Sequence, residues 1–174
     1  TNRFKDENGN VFSSNKEPMF KTKAEVPQTY TDSPVVVDSK TKKTSAPPRL
    51  IDLATLSSRL AAKVPAKTVL NTYQKMYEAQ VVSYPRTEDK FITPEQFNDL
   101  LPKVDAIARL VGVDSSILTH RSPRKTHVKT GCAHGANRPG VNVPKSLNDL
   151  NQYGPGAQDI YMMLAKNFLA MFAE

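Results

Sequence analysis

Residues 66–87 read AKTVLNTYQKMYEAQVVSYPRT, and the period of the pattern changes inside them. Val69, Tyr73, Met76 and Tyr77 recur at three- and four-residue spacing, which predicts one buried face of a helix over Ala66–Gln80. Val81-Val82-Ser83-Tyr84 is then a short β-type run. Pro85 closes it, because proline offers no N–H to a ladder. A long helix feeding a very short strand points to a mainly α chain with short strands, α+β in class.

The flanking segments continue the pattern. Upstream, Leu53, Leu56 and Leu60 share a helical face that ends near Val64-Pro65. Downstream, Thr93-Pro94-Glu95 has the chemistry of a helix start: a capping hydroxyl, proline in the first turn and an acid near the positive end of the dipole. The stripe Phe97, Leu100, Leu101, Val104, Ile107, Ala108 and Val111 follows, with Pro102 expected to kink or split it and Gly112 to end it. Helix, helix, short strand, helix is a winged-helix-like order. Residues 119–156 are expected to be loop, and a last helix from about Ala157 turns Ile160, Tyr161, Leu164, Phe168 and Phe172 one way. Residues 1–45 are polar, with extended stretches expected at Phe20–Val26 and Val35–Asp38 and an Asn8-Gly9 turn. Lys40, Lys42 and Lys43 then form a solvated linker into Pro47-Pro48. This divides the chain into a strand-rich segment with linker, 1–45, and a helical domain, 46–174.

Lys plus Arg number 24 against 17 Asp plus Glu, a net charge of +7 that suits a polyanionic partner. Single Cys132 excludes an internal disulfide framework and favours a reducing compartment. No apolar run approaches the roughly 18 residues of a membrane span. The chain opens Thr1-Asn2-Arg3 and closes Phe172-Ala173-Glu174 in an apolar helical pattern, so both ends are expected to be cuts through a larger protein.

From Ser115 to Asn148 there is no Asp or Glu in 34 residues, while Arg121, Arg124, Lys125, Lys129, Arg138 and Lys145 all fall there. Such a run is a natural counterpart for phosphates; a basic loop without a ligand is the alternative. His120, His127, Cys132 and His134 match no usual zinc spacing, and no metal is expected on them. In Ser83-Tyr84-Pro85-Arg86-Thr87 the tyrosine is held at a strand end, and Arg86 can fork two hydrogen bonds onto a phosphate. A phenol of ordinary pKa is about 0.1% ionised at neutral pH, a barrier of roughly 4 kcal/mol that a guanidinium would lower. Taken alone, a strand-end tyrosine usually only packs.

The order of motifs decides further. Ala46-Pro47-Pro48-Arg49-Leu50-Ile51-Asp52-Leu53, paired helices, Val82–Thr87, Ala133-His134-Gly135-Ala136-Asn137-Arg138-Pro139 and Ile160–Ala170 follow one another. This succession resembles the type IA DNA topoisomerases, over about residues 46–174. The resemblance implies the tyrosine-bearing domain of a torus, with residues 1–45 from a strand-rich neighbour. It puts the nucleophile on Tyr84, a phosphate-binding arginine on Arg86 and a phosphate-contacting histidine on His134. Arg121, Arg124, Lys125, Lys129 and Arg138 are the expected DNA contacts. It further implies single-strand cleavage through a 5′-phosphotyrosine, strand passage and ATP-independent resealing. Mg²⁺ would sit on a Toprim domain outside this chain, the 174 residues alone would be inactive, and a bacterial cytoplasmic setting with mainly single-stranded DNA as partner is expected. Three departures stand out. The family usually carries Asp then Ser or Cys after the threonine, Glu after the histidine and Ile before the arginine; here Glu88-Asp89, Gly135 and Asn137 occur. A non-catalytic winged-helix module and a nicking enzyme remain as alternatives.

Overall fold

The computed structural model describes residues 3–13, 20–28 and 39–174. The chain divides into two compact units, Thr1–Thr44 and Ser45–Glu174.

In the first unit, β1 (Phe4–Lys5) and β2 (Val11–Phe12) pair antiparallel, with Phe4 opposite Phe12. The expected Asn8-Gly9 turn joins them. The Asp6 carboxylate accepts from the Asn8 and Asn10 N–H groups at 3.0 and 2.7 Å, and Gly9 takes φ +85°. Residues 20–26 are not extended as expected. Lys23–Glu25 is a single 3-10 turn, because the Glu25 carboxylate reaches back to Lys21 N and Thr22 Oγ1. The expected strand at Val35–Asp38 lies outside the described residues.

The second unit is mainly α with short strands, as its periodicity predicts. Five helices carry it: α1 (Leu53–Leu60), α2 (Ala66–Glu78), α3 (Pro94–Leu100), α4 (Val104–Leu110) and α5 (Ala157–Ala170). α5 is the centre, packing on α1, α2 and α4. It buries Ile160, Tyr161, Leu164, Ala165, Phe168 and Leu169, so apolar residues ring more than one face, as a core helix requires. Pro102 does split its stripe. α3 stops at Leu100, a 3-10 turn spans Leu101–Lys103, and α4 resumes at Val104.

The loop region 119–156 is more ordered than expected. Leu147–Tyr153 is a 3-10 helix started by a reciprocal cap between Ser146 and Asp149. Val128, Ala136 and Asn137 are buried, as is His127, whose Nε2 lies 2.9 Å from the Pro48 carbonyl oxygen. Three isolated bridges supply the strand pairing here: Ile51 with Asn137, Val82 with Pro139, and Ile92 with Val128.

The second bridge sets the position of the site. α2 ends with Gln80 in the left-handed region at φ 58°, and Val81 N donates back to Met76 O. This closure is one that glycine normally provides. The chain then runs beside 138–142: Ser83 N donates to Arg138 O at 3.0 Å, and Gly140 N to Val81 O at 2.8 Å. The ladder stays short because Pro139 has no N–H to give. Gly140 is required by proximity: a Cβ there would sit 2.1 Å from the Gln80 carbonyl oxygen.

Candidate active site

Tyr84 leaves the end of this paired segment and lines an open cleft with Tyr77, Gln96, Asp99, His134 and Arg138. Its ring is gripped from two sides. Tyr77, from the last turn of α2, meets it edge-on with centroids 5.5 Å apart. The His134 imidazole lies 4.4 Å away, tilted by 38°. Tyr84 and His134 are 50 residues apart in sequence, and the fold makes them neighbours.

Three ties hold their loops together. Ser83 Oγ accepts from Arg138 N at 3.0 Å. Asp89 Oδ2 accepts from Gly135 N at 3.0 Å and from Thr87 Oγ1 at 3.1 Å. The Asn137 amide donates to the Tyr84 carbonyl at 2.9 Å and to that of Pro85 at 3.3 Å. The His134 carbonyl is fixed in turn by Gln96 Nε2 at 3.1 Å and Arg138 Nη1 at 3.3 Å. Gln96 is free to do this because its Oε1 closes the α3 capping box on Thr93 N.

The three departures from the family pattern acquire physical content. Asp89 pins the histidine loop through a backbone N–H. Gly135 sits at φ +74° with its missing Cβ directed at Gln96 Oε1, 2.2 Å away, so any side chain would push Gln96 aside. Asn137 is 1% exposed and bonded to the carbonyls of Tyr84 and Pro85. Sequence reasoning noted these positions only as mismatches, and it missed Ser83, Gln96 and Tyr77 as well. The capping pattern Thr93-x-x-Gln96 was the one readable signal for Gln96.

The cationic residues separate. Arg138 is half-buried in the cleft, and burial lowers the pKa of its guanidinium. No carboxylate of the described residues pairs with it within ion-pair distance. A partly desolvated cation with no paired carboxylate favours an anion beside it. Arg86 is exposed, makes no hydrogen bond within the described residues, and does not line the cleft. Lys125 is exposed, and Lys129 lies over the Phe91 ring at 4.4 Å. Arg121 pairs with Asp105 at 2.6 Å. Arg124 donates to the carbonyls of Met171 and Ala173, both at 2.7 Å, capping the chain just beyond α5. The structure thus gives Arg121 and Arg124 internal partners.

Beneath the cleft, Tyr73 is fully buried, and burial pushes its phenol far above the ordinary tyrosine range. It stays protonated and serves as a hydrogen-bonding post. Among the described residues no group of three or more His, Cys, Asp or Glu stands together as a metal site. The Mg²⁺ implied by the resemblance therefore finds no ligand set in them. No helix of the described residues is long and apolar enough to cross a membrane.

A family profile described as DNA topoisomerase matches residues 2–174. No curated protein matches the chain.

Proposed function

The chain belongs to the DNA topoisomerase family, and from that premise we propose that it cuts and reseals one DNA strand through Tyr84, in the type IA manner. The observation that supports this reading is the cleft itself. The Tyr84 ring, the exposed His134 imidazole and the Arg138 guanidinium, which has no ion-paired carboxylate among the described residues, line a single groove.

A phosphodiester in that groove would offer an anion to Arg138, whose buried charge is stabilised by it. The Tyr84 oxygen attacks phosphorus. The Oη–P bond forms, the bond from phosphorus to the 3′ oxygen breaks, and the phenolic proton ends on that 3′ oxygen. The His134 N–H donates to a non-bridging phosphate oxygen as charge builds there. Arg86, projecting beyond the cleft, closes onto the phosphate with the DNA. The ester keeps the energy of the phosphodiester, so the 3′ hydroxyl reverses the attack without ATP. In this reading Mg²⁺ and its acidic ligands belong to a Toprim domain, single-stranded DNA is the substrate, and the setting is bacterial cytoplasm.

Tyr84→Phe removes one oxygen and leaves the ring between Tyr77 and His134. The full-length protein carrying it is expected to bind a single-stranded oligonucleotide as before and to form no covalent adduct on denaturing gels. A 5′-linked adduct that survives the change would place the nucleophile elsewhere.

A further inference from the structure

We infer that Asn137 is the positioning residue for the nucleophile: its side-chain amide clamps the main chain of Tyr84 to the buried post Tyr73. Resting on the reading of Tyr84 above, the inference adds what holds that tyrosine still.

Asn137 Nδ2 stands at the meeting point of three acceptors. It lies 2.9 Å from the Tyr84 carbonyl oxygen, 3.3 Å from that of Pro85 and 2.9 Å from Tyr73 Oη. The turn makes one backbone bond of its own, from Thr87 N to Pro85 O at 3.1 Å, and the Tyr84 carbonyl receives no backbone N–H among the described residues. The amide supplies that donor. Its own backbone is anchored separately, with Asn137 N donating to Ile51 O at 2.9 Å. Tyr73 Oη cannot drift, because the α2 core surrounds its ring completely. The nucleophile's carbonyl is therefore referred to a fully buried residue of α2, not to its exposed neighbours.

The side chain is also an expensive choice for packing alone. Asn137 Oδ1 is buried with no hydrogen-bond partner in the described residues. An aliphatic residue of the same size would carry no such penalty. Retaining a donor here makes sense if the donor has a task.

The test uses single-turnover cleavage of an oligonucleotide by the full-length protein, with DNA affinity and melting temperature measured alongside. Asn137→Leu keeps the volume and deletes the amide. It should slow cleavage about ten- to a hundredfold, the cost of a misplaced reacting group, with affinity unchanged. Asn137→Asp separates positioning from packing. As a carboxylate it repels the two carbonyls; once protonated, it offers them an O–H. Burial at this 1% exposed position raises such a carboxyl well above the ordinary aspartate range, so its cleavage rate, relative to the unmodified protein, should recover as pH falls from about 8 to 5.5. If Asn137→Leu does not fold, this pH recovery decides alone. Full cleavage by folded Asn137→Leu overturns the inference, as does a rate loss that tracks the unfolded fraction with no recovery in acid. Loss of the adduct in Tyr84→Phe alongside full activity in Asn137→Leu would sink the clamp and leave the nucleophile standing.

Discussion

Arg86 projects from the turn after Tyr84 without a hydrogen-bond or ion-pair partner among the described residues. Changing it should leave stability within about ±0.5 kcal/mol. If the guanidinium closes on the phosphate in the transition state, Arg86→Lys keeps the charge but loses the fork, and cleavage should fall roughly 10²-fold. Single-turnover rates beside melting temperature and affinity check this; an equal rate would remove the bidentate role, and a matching loss of affinity would make Arg86 a binding residue. At this scale the sequence showed Tyr84, Arg86 and His134 only through the order of their motifs. It could not rank the arginines. Whether Arg138 or Arg86 faces the cleft depends on the pairing of Val82 with Pro139, and nothing local to either segment encodes that pairing. Asn137 was invisible as a clamp for the same reason. Its three acceptors come from positions 73, 84 and 85.

Helix boundaries were the most legible elements, because caps and prolines act within one turn. Thr93-Pro94 starts α3, and Pro102 breaks the stripe. The 3-10 helix Leu147–Tyr153 escaped, although Ser146-x-x-Asp149 announces it, since glycines and prolines on both sides read as loop. The basic run has a structural side that composition does not show. Composition suits its arginines to phosphate, but carbonyls beyond the end of α5 come within 2.7 Å of Arg124. Truncating Arg124 removes two charge-assisted hydrogen bonds, and Arg124→Ala should lower stability by about 1.5–3 kcal/mol in urea denaturation. Lys125→Ala should leave stability alone and flatten the plot of log affinity against log salt by about 0.7 on single-stranded DNA. A flatter plot for Arg124→Ala with unchanged stability would reverse the two roles.

For the molecule as a whole, acid should cost stability at Asp52. Partial burial raises its carboxyl, but hydrogen bonds from Lys90 and Thr55 outweigh burial and hold it at about 2, below the ordinary 3.8. The pair is close, with Lys90 Nζ 2.6 Å from Asp52 Oδ2, and the same carboxylate caps α1 through Thr55 N. A carboxyl lowered on folding stabilises above its unfolded value, and that stability drains away as pH falls through the folded one. Asp52→Asn keeps a capping oxygen and loses the charge. The urea midpoint of the unmodified protein should exceed that of the variant at pH 5; the gap should shrink to roughly a third by about pH 2.5 and close only below about pH 2. A gap that does not change with pH would assign the benefit to the cap and not to the ion pair.

The ties between the Tyr84 and His134 loops carry one more implication. Ser83 to Arg138 spans 55 residues and Asp89 to Gly135 spans 46, with α3 and α4 between them. Bringing such distant segments together costs an open chain about 3.5 kcal/mol in closure entropy before any bond is gained. Helices α3 and α4 fill most of that span, so their packing shortens the open chain that has to close. On the reading proposed above, a copy that loses these ties keeps its tyrosine and its histidine but loses the groove between them, and with it the place where DNA would be cut.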